Sequence, residues 1–221
     1  MKTLKSLLAV ILVIASLFTF AACGGGSGST TSDASDASGT TSSSGDSGRI
    51  YTKGSVIDGV YVNNWASLQF EITDEWPAGE KEDIKAYEAT NITCGLVAGD
   101  ITTGKQLAIC FEKLPVVEST ESSESAAESE VSVEEFTIDG YLDDIVVSYG
   151  ATVAESTVGE YRDVTVAGEK YRAVDVVVGE TVYQTIAARK NGNYCIVLIA
   201  TGDSKEVTEQ ALSLITAPTA E

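Results

Sequence analysis

The fold is decided by residues 161–201, which have the sequence YRDVTVAGEKYRAVDVVVGETVYQTIAARKNGNYCIVLIAT. Turn signals separate β-rich runs at three places, Ala167-Gly168, Gly179-Glu180 and Asn191-Gly192. Asn-Gly is the favoured pair of a type I′ hairpin turn. Valine recurs at every second position of 174–178, as in a half-buried strand, whereas residues 194–200 are apolar on both faces, as in a central covered strand. The stretch predicts a four-stranded antiparallel meander.

Two more hairpins are predicted upstream of the meander. The first pairs residues 59–63 with 67–73 around Asn64-Trp65. The second pairs 90–97 with 105–114 and turns through 100–104. Residues 80–89 between them are compatible with a short helix. The expected fold class is therefore α+β, with a single antiparallel sheet and packed helices.

Two helices are signalled on either side of the meander. Ser132-Val-Glu-Glu135 has the form of a capping box, in which Ser and Glu satisfy each other's backbone amides. After it, apolar residues recur at helical spacing up to a C-terminal glycine: Ile138, Leu142, Ile145, Tyr149 and Gly150. The second helix is expected to start at Asp203 as cap, with Glu206 at the third position, and to stop before Pro218.

The N-terminus carries a different kind of signal. Lysines at positions 2 and 5 precede an uncharged apolar run, residues 7–20, which is shorter than a membrane-spanning helix requires. The residues that follow resemble the lipobox of a bacterial type II signal peptide, with Phe20 where that family usually has Leu: Phe20, Ala21, Ala22 and Cys23. The resemblance implies cleavage before Cys23 and a covalent lipid on its thiol, as the only bound group expected. A conventional secretory cleavage is the alternative.

Composition divides the rest of the chain. Residues 24–48 contain only Gly, Ser, Thr, Asp and Ala and are predicted to be a flexible linker. Residues 49–221 form one domain, interrupted by an acidic segment, 117–131, that is predicted to be a disordered loop. Weak cation binding and a partner motif are the alternatives for that segment.

The residue counts exclude several functions. Lys and Arg number 14 against 33 Asp and Glu, a net charge of -19 that disfavours nucleic acid as a partner. Histidine is absent from the sequence, so a Ser-His-Asp triad, a Cys-His pair and His-based zinc sites are impossible. The acids leave open a hydrolase that uses paired carboxylates.

Three cysteines belong to the predicted domain. If 100–104 is a hairpin loop, Cys94 and Cys110 stand opposite each other on two strands and could form a disulfide in an oxidising exterior. The alternative is that both are buried thiols. Cys195, on the proposed central strand, is expected in the core.

Aromatic side chains beside predicted loops are the candidates for ligand or partner contacts: Trp65, Trp76 and Tyr87. Trp and Tyr suit sugar stacking and protein contacts alike. The alternative is that they cover the ends of the sheet.

The order of elements, with the opening 59-GVYVNNWASLQF-70 and Trp76, resembles the PsbP-like α/β sandwich of photosystem extrinsic subunits and exported lipoproteins. That resemblance implies a binding or assembly role. We therefore expect a non-enzymatic module, anchored at the outer face of the bacterial cytoplasmic membrane, that binds an envelope protein or small ligand. A receptor for a small molecule or cell-wall fragment is the second hypothesis, and the hydrolase is the third.

Overall fold

The computed structural model describes residues 50–89, 91–114, 136–152, 156–179 and 181–219. Its strands are β1 Ser55–Ile57, β2 Val60–Asn63, β3 Leu68–Glu71, β4 Ile92–Asp100, β5 Lys105–Lys113, β6 Ser156–Val158, β7 Arg162–Val166, β8 Glu169–Val178, β9 Val182–Asn191 and β10 Tyr194–Gly202. Its helices are α1 Lys81–Ala86, α2 Ile138–Thr152 and α3 Lys205–Ser213. The predicted signal peptide, linker and acidic loop lie outside the described residues.

The main sheet is antiparallel and has the strand order β4-β5-β10-β9-β8-β6, with β7 pairing with another part of β8. The predicted meander is its β7–β10 half, and the predicted hairpin around 100–104 is β4–β5. Strand β10 lies between β5 and β9, and residues 195–202 are all buried. Its apolar character on both faces is explained by this central position.

The expectation of a single sheet is wrong, because β1, β2 and β3 form a second, three-stranded antiparallel sheet. Tyr61 on β2 and Phe70 on β3 are opposite each other, fully buried, and pack on one face of the main sheet. The alternation of buried and partly exposed residues in β2 and β3 gives this hairpin one apolar face. An apolar face of this kind is buried by stacking on another layer rather than by joining an edge.

The main sheet is consequently covered on both faces. We call the face under α1 and α2 the helix-covered face; Leu142 and Ile145 of α2 pack on it. We call the opposite face the sheet-covered face, because the β1–β3 sheet packs there together with α3, whose Ala211 and Leu212 are buried. The domain therefore has three layers, and mostly antiparallel β-structure with few helices.

Both predicted helices on either side of the meander start later than their sequence signals. Helix α2 begins at Ile138, and Phe136 and Thr137 are not helical, so a capping box at Ser132 is not its start. The Thr137 hydroxyl accepts the Gly140 N–H at 3.1 Å and caps the helix instead. The helix also continues through Gly150. For α3, the N-cap is Ser204 rather than Asp203.

One end of the domain lies at the turn between β9 and β10. Tyr51, next to the start of the described chain, stacks on Tyr194 with ring centroids 4.0 Å apart. The Leu114 N–H donates to the Asn193 carbonyl at 2.8 Å, and Lys190 lies 5.5 Å from the Phe136 ring. We call this end, at the β9–β10 turn, the tether end. Ile50, where the described chain begins, and Leu114 and Phe136, which flank residues 115–135, belong to this end.

Candidate functional site

The predicted lipidation site and lipobox, Phe20, Ala21, Ala22 and Cys23, lie outside the described residues. Within the part of the chain that the structure describes, no helix has the length and apolar character needed to span a membrane. Lipid attachment at Cys23 stays a prediction.

Two of the three predicted aromatic contacts are inside the domain. Trp76 and Tyr87 are each only 2% exposed. The Tyr87 hydroxyl donates to Gln106 Oε1 at 2.6 Å, and the Trp76 ring packs edge-on against Phe70. Neither side chain is exposed enough to contact a ligand or partner. Both are therefore core residues that cover the ends of the sheet, which was the alternative interpretation.

Trp65 is half-buried and belongs to an aromatic cluster at the tether end. Its ring is 5.2 Å from Tyr51, 5.5 Å from Tyr194 and 6.0 Å from Phe111, each in edge-to-face geometry. Asn191 Nδ2 also donates to the Trp65 carbonyl at 3.3 Å. The cluster ties the N-terminal segment and the β2–β3 turn to the central strands, and its contacts are structural.

The three cysteines of the domain are buried free thiols. Cys94 and Cys110 are directly opposite in the β4–β5 register, as predicted, with a bulge immediately after Cys94. Cys195 is fully buried in β10, also as predicted, and burial raises its pKa strongly. Because its side chain is enclosed within the central strand of the sheet, Cys195 fits a packing role.

Sequence analysis did not identify a buried carboxyl group on the helix-covered face. Glu112 is 3% exposed and accepts hydrogen bonds from the Tyr141 hydroxyl at 2.6 Å and from Asn91 Nδ2 at 2.7 Å. Burial raises the pKa of Glu112, and the two hydrogen bonds oppose that rise. The sequence contained one signal for this burial: Glu112 is two residues after Cys110 in β5, so the two side chains lie on the same face of the strand.

A second enclosed carboxyl group lies on the sheet-covered face, beside α3. Asp175 accepts hydrogen bonds from Arg162 at 3.0 and 3.2 Å and from the Thr185 hydroxyl at 2.8 Å, and Lys205 lies 3.5 Å away. Burial alone would raise the pKa of Asp175. The Arg162 and Thr185 hydrogen bonds and the two cations outweigh burial and lower that pKa.

Glu112 and Asp175 do not pair with each other, because they lie on opposite faces of the main sheet. In the described ranges, no group of three Cys, Asp or Glu side chains is arranged to hold a metal ion. Glu112 is bound by neutral donors and Asp175 by cations, and the two are on opposite faces of one sheet. Their geometry suits holding α2 and α3 against the sheet.

The exposed feature that distinguishes this domain is the free edge of the small sheet. Strand β1 pairs with β2, and among the described residues no strand pairs with its other edge. Val56 is 51% and Ile57 is 61% exposed. The opposite edge of this sheet is closed, because Gln69 of β3 exchanges two backbone hydrogen bonds with Thr216, at 2.7 and 2.9 Å.

The outer edge of β4 in the main sheet is also partly closed. The Gly79 N–H donates to the Val97 carbonyl, and the Gly99 N–H to the Pro77 carbonyl, both at 2.8 Å. Natural proteins usually cover or charge an exposed strand edge in this way. Strand β1, by contrast, leaves two large apolar side chains in water.

Acidic side chains surround the end of the small sheet that is farther from the tether end, which we call the distal end. The β1–β2 turn lies there, since the Ile72 N–H donates to the Gly59 carbonyl at 2.8 Å. The acids that are exposed on this turn and just after β3 are Asp58, Glu71, Asp74 and Glu75. Lys105 pairs with Glu75 at 2.8 Å. Of these acids, Asp58 directly follows β1 and places a negative charge at the end of its free edge.

Comparison with known proteins gives structural similarity alone. No protein-family model matches the chain, and no curated protein matches it in sequence. The solution structure of cyanobacterial PsbP (CyanoP) from Synechocystis sp. PCC 6803 is similar at 12% identity and a TM-score of 0.44, covering 72% of this chain and 91% of that chain. A protein of unknown function, PA94 from Pseudomonas aeruginosa, is similar at 10% identity and a TM-score of 0.34, covering 69% and 92%.

Proposed function

We propose that this chain is a lipid-anchored, PsbP-like assembly module of the bacterial cell envelope, and that β1 binds an extended segment of another envelope protein. The observation that carries the proposal is the free edge of β1 with its exposed Val56 and Ile57. A strand edge offers unpaired backbone N–H and C=O groups, and an extended segment satisfies them by adding one more strand.

The register of the small sheet defines what such a segment would contact. Val56 lies beside Tyr61, which in turn is paired with Phe70, on the buried face of the sheet. Ile57 lies beside Val60 and Glu71 on the outer face. An added strand therefore places one side chain next to Val56 and the following one next to Ile57, since successive residues alternate between faces.

Charge selects the chemistry of the partner segment. Asp58 directly follows Ile57 and borders the free edge, whereas Glu71 lies on β3, two strands away from that edge. The chain as a whole carries a net charge of -19. A segment with apolar residues at β1 and a Lys or Arg beside Asp58 is complementary, and attraction of this kind mainly accelerates encounter and selects partners.

The position of β1 is compatible with a tethered protein. Tyr51, just after the start of the described chain, lies at the tether end, and the β1–β2 turn is at the distal end. A flexible linker of the length of residues 24–48 has a root-mean-square span of roughly 25–30 Å. The β1 edge is then held away from the bilayer, where the periphery of a neighbouring envelope protein is within reach.

Site-specific photocrosslinking in the native host tests the docking surface. A photoreactive residue at Val56 should yield one major adduct whose partner peptide contains apolar residues next to Lys or Arg. The same probe at Val147, an equally apolar residue 69% exposed on α2, is the matched control and should yield none. Adding Ile57→Lys should reduce the Val56 adduct by about tenfold, since it removes an apolar contact worth 1–2 kcal/mol or so and repels a basic segment.

Three results of that experiment would overturn the docking surface. They are adducts of equal yield from Val56 and Val147, an adduct only with a second copy of this chain, and a Val56 adduct that Ile57→Lys leaves unchanged. Each would show that β1 is not a selective edge for another protein.

Fractionation of cells tests the anchor separately. A Cys23→Ser variant has no thiol to receive a lipid, so we expect most of the protein to leave the membrane fraction, because one or more acyl chains supply the attachment. Ala22→Gly, which keeps a small residue next to Cys23, is the control and should stay in the membrane fraction. Full membrane retention of Cys23→Ser would contradict the lipid anchor and leave the docking test unaffected.

A further inference from the structure

We infer that Cys94 and Cys110 are a redox pair, which on oxidation forms a disulfide that ties edge strand β4 to β5 and leaves Cys195 as a thiol. The inference concerns a modification site in the core and is independent of the proposed docking at β1. It rests on the strand register, on the direction of the neighbouring hydrogen bonds and on the position of the third cysteine.

The hydrogen bonds around Ile92 show which kind of pair the two cysteines form. The Ile92 N–H and carbonyl both bond to Ala89, each at 3.1 Å, and so point away from β5. Ile92 is opposite Glu112, and that pair is therefore a non-hydrogen-bonded one. The next pair, Asn91 with Lys113, carries a 2.8 Å bond, as the alternation requires. Two residues along β4, Cys94 opposite Cys110 is again a non-hydrogen-bonded pair.

Non-hydrogen-bonded pairs bring side chains closest together. Their Cα atoms are about 4.5 Å apart, compared with about 5.5 Å in hydrogen-bonded pairs. Disulfides in proteins span Cα separations of roughly 4.4–6.8 Å. The Cys94–Cys110 pair is within that range, so a bond between the two sulfurs needs little movement of either strand.

The two thiols also share an environment. Both side chains are 1% exposed and face the helix-covered side of the sheet. The proximity of Cys94 and then burial raise the pKa of Cys110 well above its ordinary value.

The register at Cys94 is held in place by Gly95. A Cβ atom at position 95 would lie 2.4 Å from the Lys53 carbonyl oxygen and from the Tyr61 hydroxyl. Only glycine allows residue 53 to cross β4 at the bulge, so the bulge cannot move along the strand. Cys94 consequently stays opposite Cys110.

Cys195 is too far from Cys110 to form a disulfide with it. It lies opposite Glu112, whereas Cys110 lies opposite Val197, so Cys195 and Cys110 are diagonal neighbours on β10 and β5. Diagonal neighbours are about 7–8 Å apart, beyond the usual reach of a disulfide. The domain therefore contains its own control thiol.

The reaction is a thiol–disulfide exchange with a small-molecule disulfide as oxidant. One cysteine thiolate attacks the oxidant, its S–S bond breaks, and a mixed disulfide and one small thiol form. The second cysteine thiolate then attacks the mixed disulfide and releases the second small thiol. In total, two S–H bonds and one S–S bond are lost, the Cys94–Cys110 bond and two small thiols are formed, and the two electrons from the cysteines reduce the oxidant.

Thiol counting by mass spectrometry tests the inference on the full chain carrying Cys23→Ser, so that the thiols counted belong to the domain. The protein is equilibrated with oxidised glutathione, acid-quenched, denatured and alkylated with N-ethylmaleimide. We expect a chain two hydrogens lighter with a single adduct, on Cys195, and three adducts after reduction. The oxidised chain should also melt roughly 5–10 °C higher, since the bond closes a loop that is otherwise open in the unfolded chain.

Two variants keep the result interpretable. Cys195→Ala should bind no N-ethylmaleimide after oxidation, and Cys110→Ala should bind two equivalents and show no rise in melting temperature. Three adducts in the oxidised parent chain, stable glutathione adducts, or a bond that includes Cys195 would each overturn the inference. If Cys110→Ala does not fold, the Cys195→Ala count decides alone.

Discussion

Two enclosed carboxyl groups, one on each face of the same sheet, have opposite electrostatics. Asp175, on the sheet-covered face, is surrounded by Arg162 and Lys205, and its pKa is lowered. Glu112, on the helix-covered face, is held by Tyr141 and Asn91, and its pKa is raised. The direction of each pKa shift follows from the partners, because a cation favours the charged form while neutral donors only partly offset burial.

This contrast indicates how each face holds its helix. Asp175 links β8 through Lys205 to the first turn of α3, and the link needs the carboxyl group to be ionised. Glu112 links β5 through the Tyr141 hydroxyl to α2, and burial favours its neutral form. Acid should therefore weaken the attachment of α3, and rising pH should lower the stability of the domain at Glu112, because burial disfavours its ionised form.

Of the two carboxyl substitutions, Asp175→Asn is expected to change the stability of the domain more. The substitution removes the charge-assisted bonds to Arg162, and we expect the free energy of unfolding at neutral pH to fall by about 1.5–3 kcal/mol. A lowered pKa in the folded state stabilises the protein above the ordinary Asp pKa, near 3.9, and this contribution is lost as pH falls through the folded pKa. Urea unfolding of both proteins between pH 3 and 7 should show the gap closing at the acid end.

The exposed Asp144 on α2 provides the matched control for that experiment. Asp144→Asn should change the free energy of unfolding by less than about 0.5 kcal/mol at any of these pH values. An Asp175→Asn effect as small as the control, or one independent of pH, would contradict the ionic attachment of α3.

The smaller effect, with the opposite sign, is expected from Glu112→Gln. The amide keeps an oxygen for the Tyr141 hydroxyl and cannot ionise, so we expect the variant to be more stable than the parent at neutral pH by about 1 kcal/mol or less. Because the pKa of Glu112 is raised in the folded state, its contribution is fully present below the ordinary Glu pKa and is lost as pH rises through the folded pKa. Thermal melts from pH 4 to 8 should therefore show the variant's advantage growing with pH.

Glu82→Gln, on the first turn of α1, is the control and should melt with the parent at every pH. A Glu112→Gln variant that is less stable than the parent at neutral pH would show that the ionised carboxylate is the stabilising form. Both faces would then be stabilised by an ionised carboxylate, to different extents.

Local patterns predicted much of the main sheet. The turn at Ala167-Gly168 and the apolar run of β10 are where residue type alone placed them, whereas the second turn is shifted by one residue to Gly192-Asn193, because Asn191 pairs with Tyr194. The β4–β5 hairpin is also present, but Asp100 pairs with Lys105 rather than lying in the loop, and it is the bulge after Cys94 that brings Cys94 opposite Cys110. These features depend on contacts between neighbours in the sequence, which periodicity and turn chemistry report directly.

The candidate sites could not be predicted in the same way. Strand β1 has only three residues, and its exposed edge depends on which strand fails to pair with it. Glu112 is an ordinary acid until Asn91 and Tyr141, which come from distant segments, enclose it. Trp76 and Tyr87 were placed near loops correctly, but their burial depends on β4 and β5 packing against them.

The sequence by itself determined the meander, the helical segments, the linker composition and the expectation of a lipid on Cys23, because each depends on residues close together along the chain. Tertiary structure decided that the first hairpin forms a second sheet, that one edge of it stays open, and that two carboxyl groups acquire opposite pKa shifts. These outcomes depend on which distant groups exclude water from a side chain or pair with it, and no local pattern encodes that choice.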